Sequence, residues 1–123
     1  MSAKARQVIA DAVTGPVDLD DGSTVTVTGY PSRPSTPATW DAWPWLSSAD
    51  AVTAYGFTST WNVYVVLPAG DPGSTADAVD ALLDVLWERL WAANAPITRV
   101  ATGQLVFESN SPAVPALVFT VTV

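Results

Sequence analysis

The sequence predicts an α+β fold, a two-layer sandwich with helices on one face of a mostly antiparallel sheet. Three observations carry this expectation. Thr58 to Trp91 reads as a strand, a short turn and one long amphipathic helix. Thr24–Thr28 and Ala116–Val123 alternate apolar and polar residues, as half-buried strands do. A short helical stretch near the amino terminus supplies a second member of the helical layer. At 123 residues, 49% of them hydrophobic, the chain is expected to form one domain over 1–123 that buries roughly two-thirds of its unfolded surface.

Taken in order, Ser2 is a candidate N-cap for a first helix over Ala3–Val13, with Val8, Ile9, Ala12 and Val13 on its apolar face. Gly15-Pro16 ends it. Asp20-Asp21-Gly22 is a turn before the strand Thr24–Thr28. The segment from about 29 to 46 concentrates Pro31, Pro34, Pro37 and Pro44 together with Trp40, Trp43 and Trp45. That density of proline argues against a long central strand or a helix. It predicts an extended ordered loop, closed at most by a short edge strand near Trp45-Leu46. Ser47–Asp50 fits the start of a single helical turn. The main strand begins between Ala51 and Ser59 and runs to Pro68, and Ala69–Gly73 is a turn.

The long helix is expected from Ser74, as N-cap with Asp77 three residues on, to Trp91 or slightly beyond. Asn94-Ala95-Pro96 stops it. Arg99–Glu108 and Ala116–Val123 are two further strands across the turn Ser109–Pro112, giving the order α-β-β-α-β-β. At 100° per residue Val79, Leu82, Leu83, Leu86, Trp87 and Leu90 share one arc, which is the expected sheet-facing side, with Trp91 at its edge. Each such side chain contributes roughly 1.5–3 kcal/mol on burial. Trp61, Val63 and Val65 are the expected partners of Leu82, Leu86 and Leu90.

The same projection gathers Asp77, Asp80, Asp84 and Glu88 into an acidic stripe. Asp80/Asp84 and Asp84/Glu88 are like-charge neighbours that each cost about 0.2–0.5 kcal/mol. The helix dipole accounts for acids near the amino end but not for Glu88 toward the carboxyl end. Two readings stay open: a solvated face, or a surface offering negative charge to a partner subunit or an enclosed channel.

Composition excludes several functions. The net charge is −7, with Lys4, Arg6, Arg33, Arg89 and Arg99 as the only cations. Five scattered cations release few phosphate counterions, so neither tight nucleic-acid binding nor attachment to an anionic membrane is expected. No apolar run approaches the ~20 residues of a membrane span, and residues 1–13 lack the apolar core of a signal peptide. Cysteine and histidine are absent, which removes disulfides, thiolate and imidazole metal ligands and the commonest general base. Gly70–Gly73 lacks the spacing and the Lys-Ser/Thr of a phosphate-binding loop. A serine nucleophile has only Lys4 for a base. Asp18–Gly22 lacks the length and terminal Glu of a calcium loop and reads as turn chemistry. The helix carboxylates lack the cleft of a glycosidase pair. No enzyme, cofactor, metal site or catalytic residue is expected.

Trp40, Trp43 and Trp45 have three readings: a lid folded over the core, anchors of a protein–protein contact, or a carbohydrate platform. A proline-stiffened arm would lose little entropy on docking. On the interface reading Trp43→Ala weakens assembly more than it lowers the melting temperature; on the lid reading the order reverses.

These elements together carry a resemblance. A short amino-terminal helix, a β-segment and a Pro/Trp-rich loop precede Thr60-Trp61-Asn62-Val63-Tyr64-Val65-Val66. A Gly-Asp turn, a helix opening Ala76-Asp77-Ala78-Val79-Asp80-Ala81-Leu82 and two closing strands follow. The chain resembles, over most of its length, the tail terminator proteins of long-tailed (siphovirus-type) phages, particularly the small versions in phages of actinobacteria. The resemblance implies a virion protein of the tail and neck, made in the host cytoplasm. It would form a homo-oligomeric ring, a hexamer in that family, that caps the tail tube and joins it to the head-side connector. DNA would pass without specific binding, and acidic walls suit such a bore. Another neck, head-completion or minor tail protein, or a small ligand- or carbohydrate-binding module, are the alternatives.

Overall fold

The computed structural model describes residues 2–19, 22–54, 56–68, 72–107 and 112–123. Its elements are α1 (Ser2–Val13), β1 (Gly15–Asp18), β2 (Thr24–Gly29), β3 (Asp41–Thr53), β4 (Gly56–Val66), α2 (Pro72–Ala92), β5 (Ile97–Leu105) and β6 (Val114–Thr122). All six strands belong to one sheet in the order β1-β2-β3-β4-β6-β5. Every pairing is antiparallel except the short parallel contact of Thr28-Gly29 with Asp41-Ala42. Ile9 and Val13 of α1 and Leu82, Leu86 and Leu90 of α2 are buried with Trp61, Val63, Val65, Leu117, Phe119 and Val121 of the sheet. The fold is α+β, with both helices on one face of the sheet.

Two strands exceed the four that the sequence predicts. β1 is one, in the place where Gly15-Pro16 is expected only to stop a helix. It escapes notice because it is four residues long and contains a proline. Pro16 is tolerated because β1 is the outermost strand. The turn after it is held by Leu19 N–H donating to Ser23 O (2.8 Å) and Gly22 N–H to Leu19 O (3.0 Å). Gly22 takes φ +89°, a region glycine enters freely. Thr24 Oγ1 donates to Asp18 Oδ1 (2.7 Å); Asp20 and Asp21 lie outside the described residues.

β3 is the larger correction. The proline-rich loop ends at Trp40, and Asp41–Thr53 is a 13-residue strand that takes in both the supposed edge strand and the supposed helical turn Ser47–Asp50. Pro44 fits because the carbonyl of Ala42, two residues earlier, accepts from Tyr30 N–H on the β2 side (2.8 Å). Pro44 faces that same flank where β2 has already ended, so no ladder bond is lost. Ser47–Asp50 has weak strand propensity, but antiparallel pairing with β4 outweighs it. Register shifts after Leu46 and after Ala51 mark bulges there.

α2 starts at Pro72, where proline's fixed φ suits the first helical position. Ser74 therefore sits inside the first turn and is not the N-cap. The carboxyl end follows the expected stop signal. Asn94 adopts φ +60°, Asn94 N–H donates to Trp91 O (3.2 Å) and Ala95 N–H to Leu90 O (2.9 Å). This is the left-handed closure in which the two residues after the cap return to the last turn, with buried Ala95 against buried Leu90. The helix is rotated from the expected arc. Ala78 and Ala81 are buried, Val79 and Leu83 only half so, and Trp87 is 44% exposed. The apolar arc is wide, and the side that carries Ala78 and Ala81 is the buried one, which leaves Trp87 facing outward.

The ends of α1 and β2 are locked together. Thr14 Oγ1 donates to Ala10 O (2.8 Å) and accepts from Gly29 N–H (2.9 Å). A Cβ at Gly29 would lie 2.1 Å from the Ala10 carbonyl oxygen. That contact is with backbone and cannot be relieved by a side-chain rotation. Gly29→Ala is expected to destabilise the protein by about 1–3 kcal/mol, read as a lower urea midpoint at unchanged slope.

Candidate functional site

The strands β3 and β4 are longer than the sheet they belong to. From Trp45 through Ala54 every described residue is exposed, as are Gly56 and Phe57 on the returning strand. The result is a two-stranded arm whose described residues stay exposed, with α1 bordering only its root through Arg6. It presents Trp45, Leu46, Val52 and Phe57 among the exposed large hydrophobics. From Pro44 onward its outer flank has no neighbouring strand among the described residues. Such an edge, apolar and unpaired, is a template for association.

The three loop tryptophans part company. Trp40 is half-buried against the core, its N–H donating to Val66 O (2.8 Å) and its carbonyl accepting from Thr28 N–H (3.2 Å). It holds φ +73°, uncommon for a bulky residue, and serves as the lid that one reading proposes. Trp43 is 3% exposed, stacked on Tyr64 (5.9 Å) and tilted against Phe107 (6.2 Å) on the sheet face opposite the helices. It has no surface left for a neighbour, so its place among the interface candidates is corrected to packing. Trp45, two residues on and on the same face, is 62% exposed. It alone of the three offers a whole ring to a partner.

Two depressions border Trp45. One, about 330 Å³, is lined by Arg6 from α1, by Pro31, Ser32 and Arg33, and by Pro44 and Leu46. The other, about 160 Å³, lies between Trp43, Tyr64, Leu105, Val106 and Phe107. Arg33 reaches both, with its guanidinium 4.9 Å from the Phe107 ring centre. This is a cation–π placement. Arg6 is set 5.9 Å from the Trp61 ring centre. The root of the arm is thus basic and aromatic in a chain that is acidic overall.

The second surface is the outer side of α2. Asp77, Asp80, Asp84 and Glu88 are all exposed, as the stripe predicts. Trp87 and Trp91 stand beside them, 44% and 49% exposed, with ring centres 6.5 Å apart. Arg89 belongs to the same helix but turns away, and its guanidinium donates to Pro16 O of β1. It does not neutralise the stripe. Sequence reasoning missed the Trp87/Trp91 pair because both tryptophans look like core residues at the edge of a wide apolar arc. Their signal was the acids on either side.

A third cavity, about 790 Å³, lies between the first turns of α2 and β5/β6, lined by Leu67, Thr75, Val79, Asp80, Gln104 and Pro115 among others. Among the described residues no group of three or more His, Cys, Asp or Glu could hold a metal ion, and no helix is long and apolar enough to cross a membrane. A scan against protein-family models finds no match, and a search of the curated proteins finds none either.

Burial separates the tryptophans by experiment. Trp43→Ala is expected to cost about 3–5 kcal/mol of stability, whereas Trp45→Ala stays within about 0.5 kcal/mol. Urea titrations of the two variants, followed by circular dichroism, check the difference.

Proposed function

We propose that this chain is a tail terminator of a long-tailed phage, a structural subunit that forms a ring. The ring closes the end of the tail tube and meets the head-side connector. One observation carries the reading: the β3–β4 arm exposes Trp45, Leu46, Val52 and Phe57, and none of the described residues covers them. A two-stranded ribbon with apolar side chains is marginal alone in water and gains stability when another surface takes it up. The α2 face with Trp87 and Trp91 is a second, chemically different apolar surface on the same molecule. Unlike patches that complement each other produce head-to-tail contacts, and these close into rings when the rotation allows.

The resemblance in element order and the α+β fold agree with this assignment. So does the acidic balance, since a bore with negative walls repels phosphate and leaves passing DNA unbound. The partners are other copies of the chain, the tail tube protein and the connector above it. No step of the proposed work needs a catalytic group, a cofactor or a metal.

Purified protein is expected to form discrete rings in negative-stain images, alone or on the end of tubes assembled from the tail tube protein. It should also stop the growth of those tubes. Light scattering should give a mass that is an integral multiple of the 12.9 kDa subunit. A protein that stays monomeric with the tube protein present, and leaves tube length unchanged, overturns the assignment.

A further inference from the structure

We propose that the outer face of α2 docks against the basic groove at the root of the β3–β4 arm on a second copy of the chain. Successive copies then meet head to tail. The inference rests on the ring reading and supplies its contact.

The two surfaces complement each other in shape and in charge. One is convex: a helix with the exposed Trp87/Trp91 pair and, along the same side, Asp80, Asp84 and Glu88. The other is concave: the groove of about 330 Å³ whose walls are Pro31, Pro44, Trp45 and Leu46 and whose charges are Arg6 and Arg33. Those arginines are two of only five cations in a chain of net charge −7, and both are exposed beside the most exposed tryptophan of the arm. Tryptophan anchors ringed by opposite charges are the composition of an interface hot spot. Arginine also stacks on indole faces, which Trp87 and Trp91 would bring to Arg6 and Arg33.

Charge also decides which pairing is possible. Placing α2 against α2 of another copy sets acids against acids, and placing groove against groove sets arginines together. Both symmetric arrangements are repulsive, and like-charge juxtaposition is costly at an interface. Only the unlike pairing satisfies both faces. It leaves each copy with one free α2 face and one free groove until the ring closes. Both halves of the contact belong to this chain, so the occupant that they fit is a second copy.

Two charge-reversal variants test this. Variant one carries Arg6→Glu and Arg33→Glu; variant two carries Asp84→Arg and Glu88→Arg. Each alone is expected to raise the concentration needed for assembly at least about tenfold. Mixed in equal amounts they should assemble again, with the two chains alternating, because each new groove faces a helix of opposite charge. Far-UV circular dichroism and melting temperature establish that each variant is folded.

The absence of cysteine provides a second measurement that leaves the charges alone. A chain with both Ser32→Cys and Ala92→Cys should give a covalent ladder of oligomers on treatment with a short bis-maleimide, while either single variant stays at one subunit. Rings that survive both reversals, or dimers from a single-cysteine variant, overturn the proposed contact but leave the ring reading standing. Rings that survive reversal yet no longer cap tubes assign the α2 face to the tube protein and equally overturn it. A native chain that never forms rings removes the ring reading itself.

Discussion

The contact between α2 and the inner faces of β4 and β6 organises the rest of the molecule. Leu82, Leu86 and Leu90 share one buried cluster with Trp61, Val63, Phe119 and Val121, and all seven are almost wholly removed from water. Trp61 is admitted to this core because its indole N–H has an acceptor: it donates to Ser59 Oγ (2.8 Å), which itself donates to the Val123 carbonyl (3.1 Å). That short chain of hydrogen bonds also fastens Val123 to β4. Ala78 and Ala81 are buried beside the leucines, which defines the rotation of the helix. The rotation then decides which residues of α2 face outward. The acidic face with Trp87 and Trp91 is therefore a consequence of how the leucines pack.

Elements with strong periodicity were legible in the sequence. α1, β2, α2 and β6 each repeat apolar residues at the spacing of their secondary structure, and the stop signal at Asn94-Ala95-Pro96 corresponds to a complete set of closing hydrogen bonds. The misses have a common physical cause. β3 beyond Trp45 is exposed on both faces, so no alternation records it, and its Ser-Ser-Ala-Asp run imitates a helix start. β1 is too short for periodicity to show. Of the candidate site residues, Asp77, Asp80, Asp84 and Glu88 were placed correctly on the outside because helical geometry fixes their spacing. Trp40, Trp43 and Trp45 could not be separated by sequence alone. Their fates depend on a positive φ at Trp40 and on which sheet face each later residue occupies. Strand alternation puts Trp43 and Trp45 on one face, but only the pairing with β4 and the position of the chain just after β5 bring Tyr64 and Phe107 over the first and leave the second open.

Arg89 shows how the fold sorts its few positive charges. It lies in the last turns of α2, where a cation is favoured by the helix dipole, yet its side chain crosses to the Pro16 carbonyl. One of its nitrogens, Nη1, is buried with no hydrogen-bond partner among the described residues. An unpaired buried donor is unfavourable, so the packing of the guanidinium against Gly15-Pro16 must offset it. Gly15 is suited to this contact, since an added Cβ would come within 3.3 Å of the guanidinium carbon. Arg89 is thereby spent on holding the β1–β2 edge to the helix. Arg6 and Arg33 at the root of the arm remain near the surface, on parts of the chain other than the acidic outer face of α2.

The position of these two arginines bears on how an exposed arm can be tolerated. An isolated apolar ribbon with a free edge invites pairing with any chain that offers another edge. The arm carries three devices that restrict this: two bulges that disturb its register, Pro44 at its root, and Asp50 as a charge on the open strand. None removes Trp45, Leu46, Val52 or Phe57 from water. A monomer would gain by shortening this ribbon, because two strands without a third or a helix are barely stable. Retaining it is physically reasonable when the free energy of the arm is completed outside the subunit. Bulges and charge then guard against unselective edge pairing, while on the proposed contact the basic, aromatic root would select an acidic, aromatic partner. On that account the arm's instability in the free chain and its specificity in the assembly have one origin.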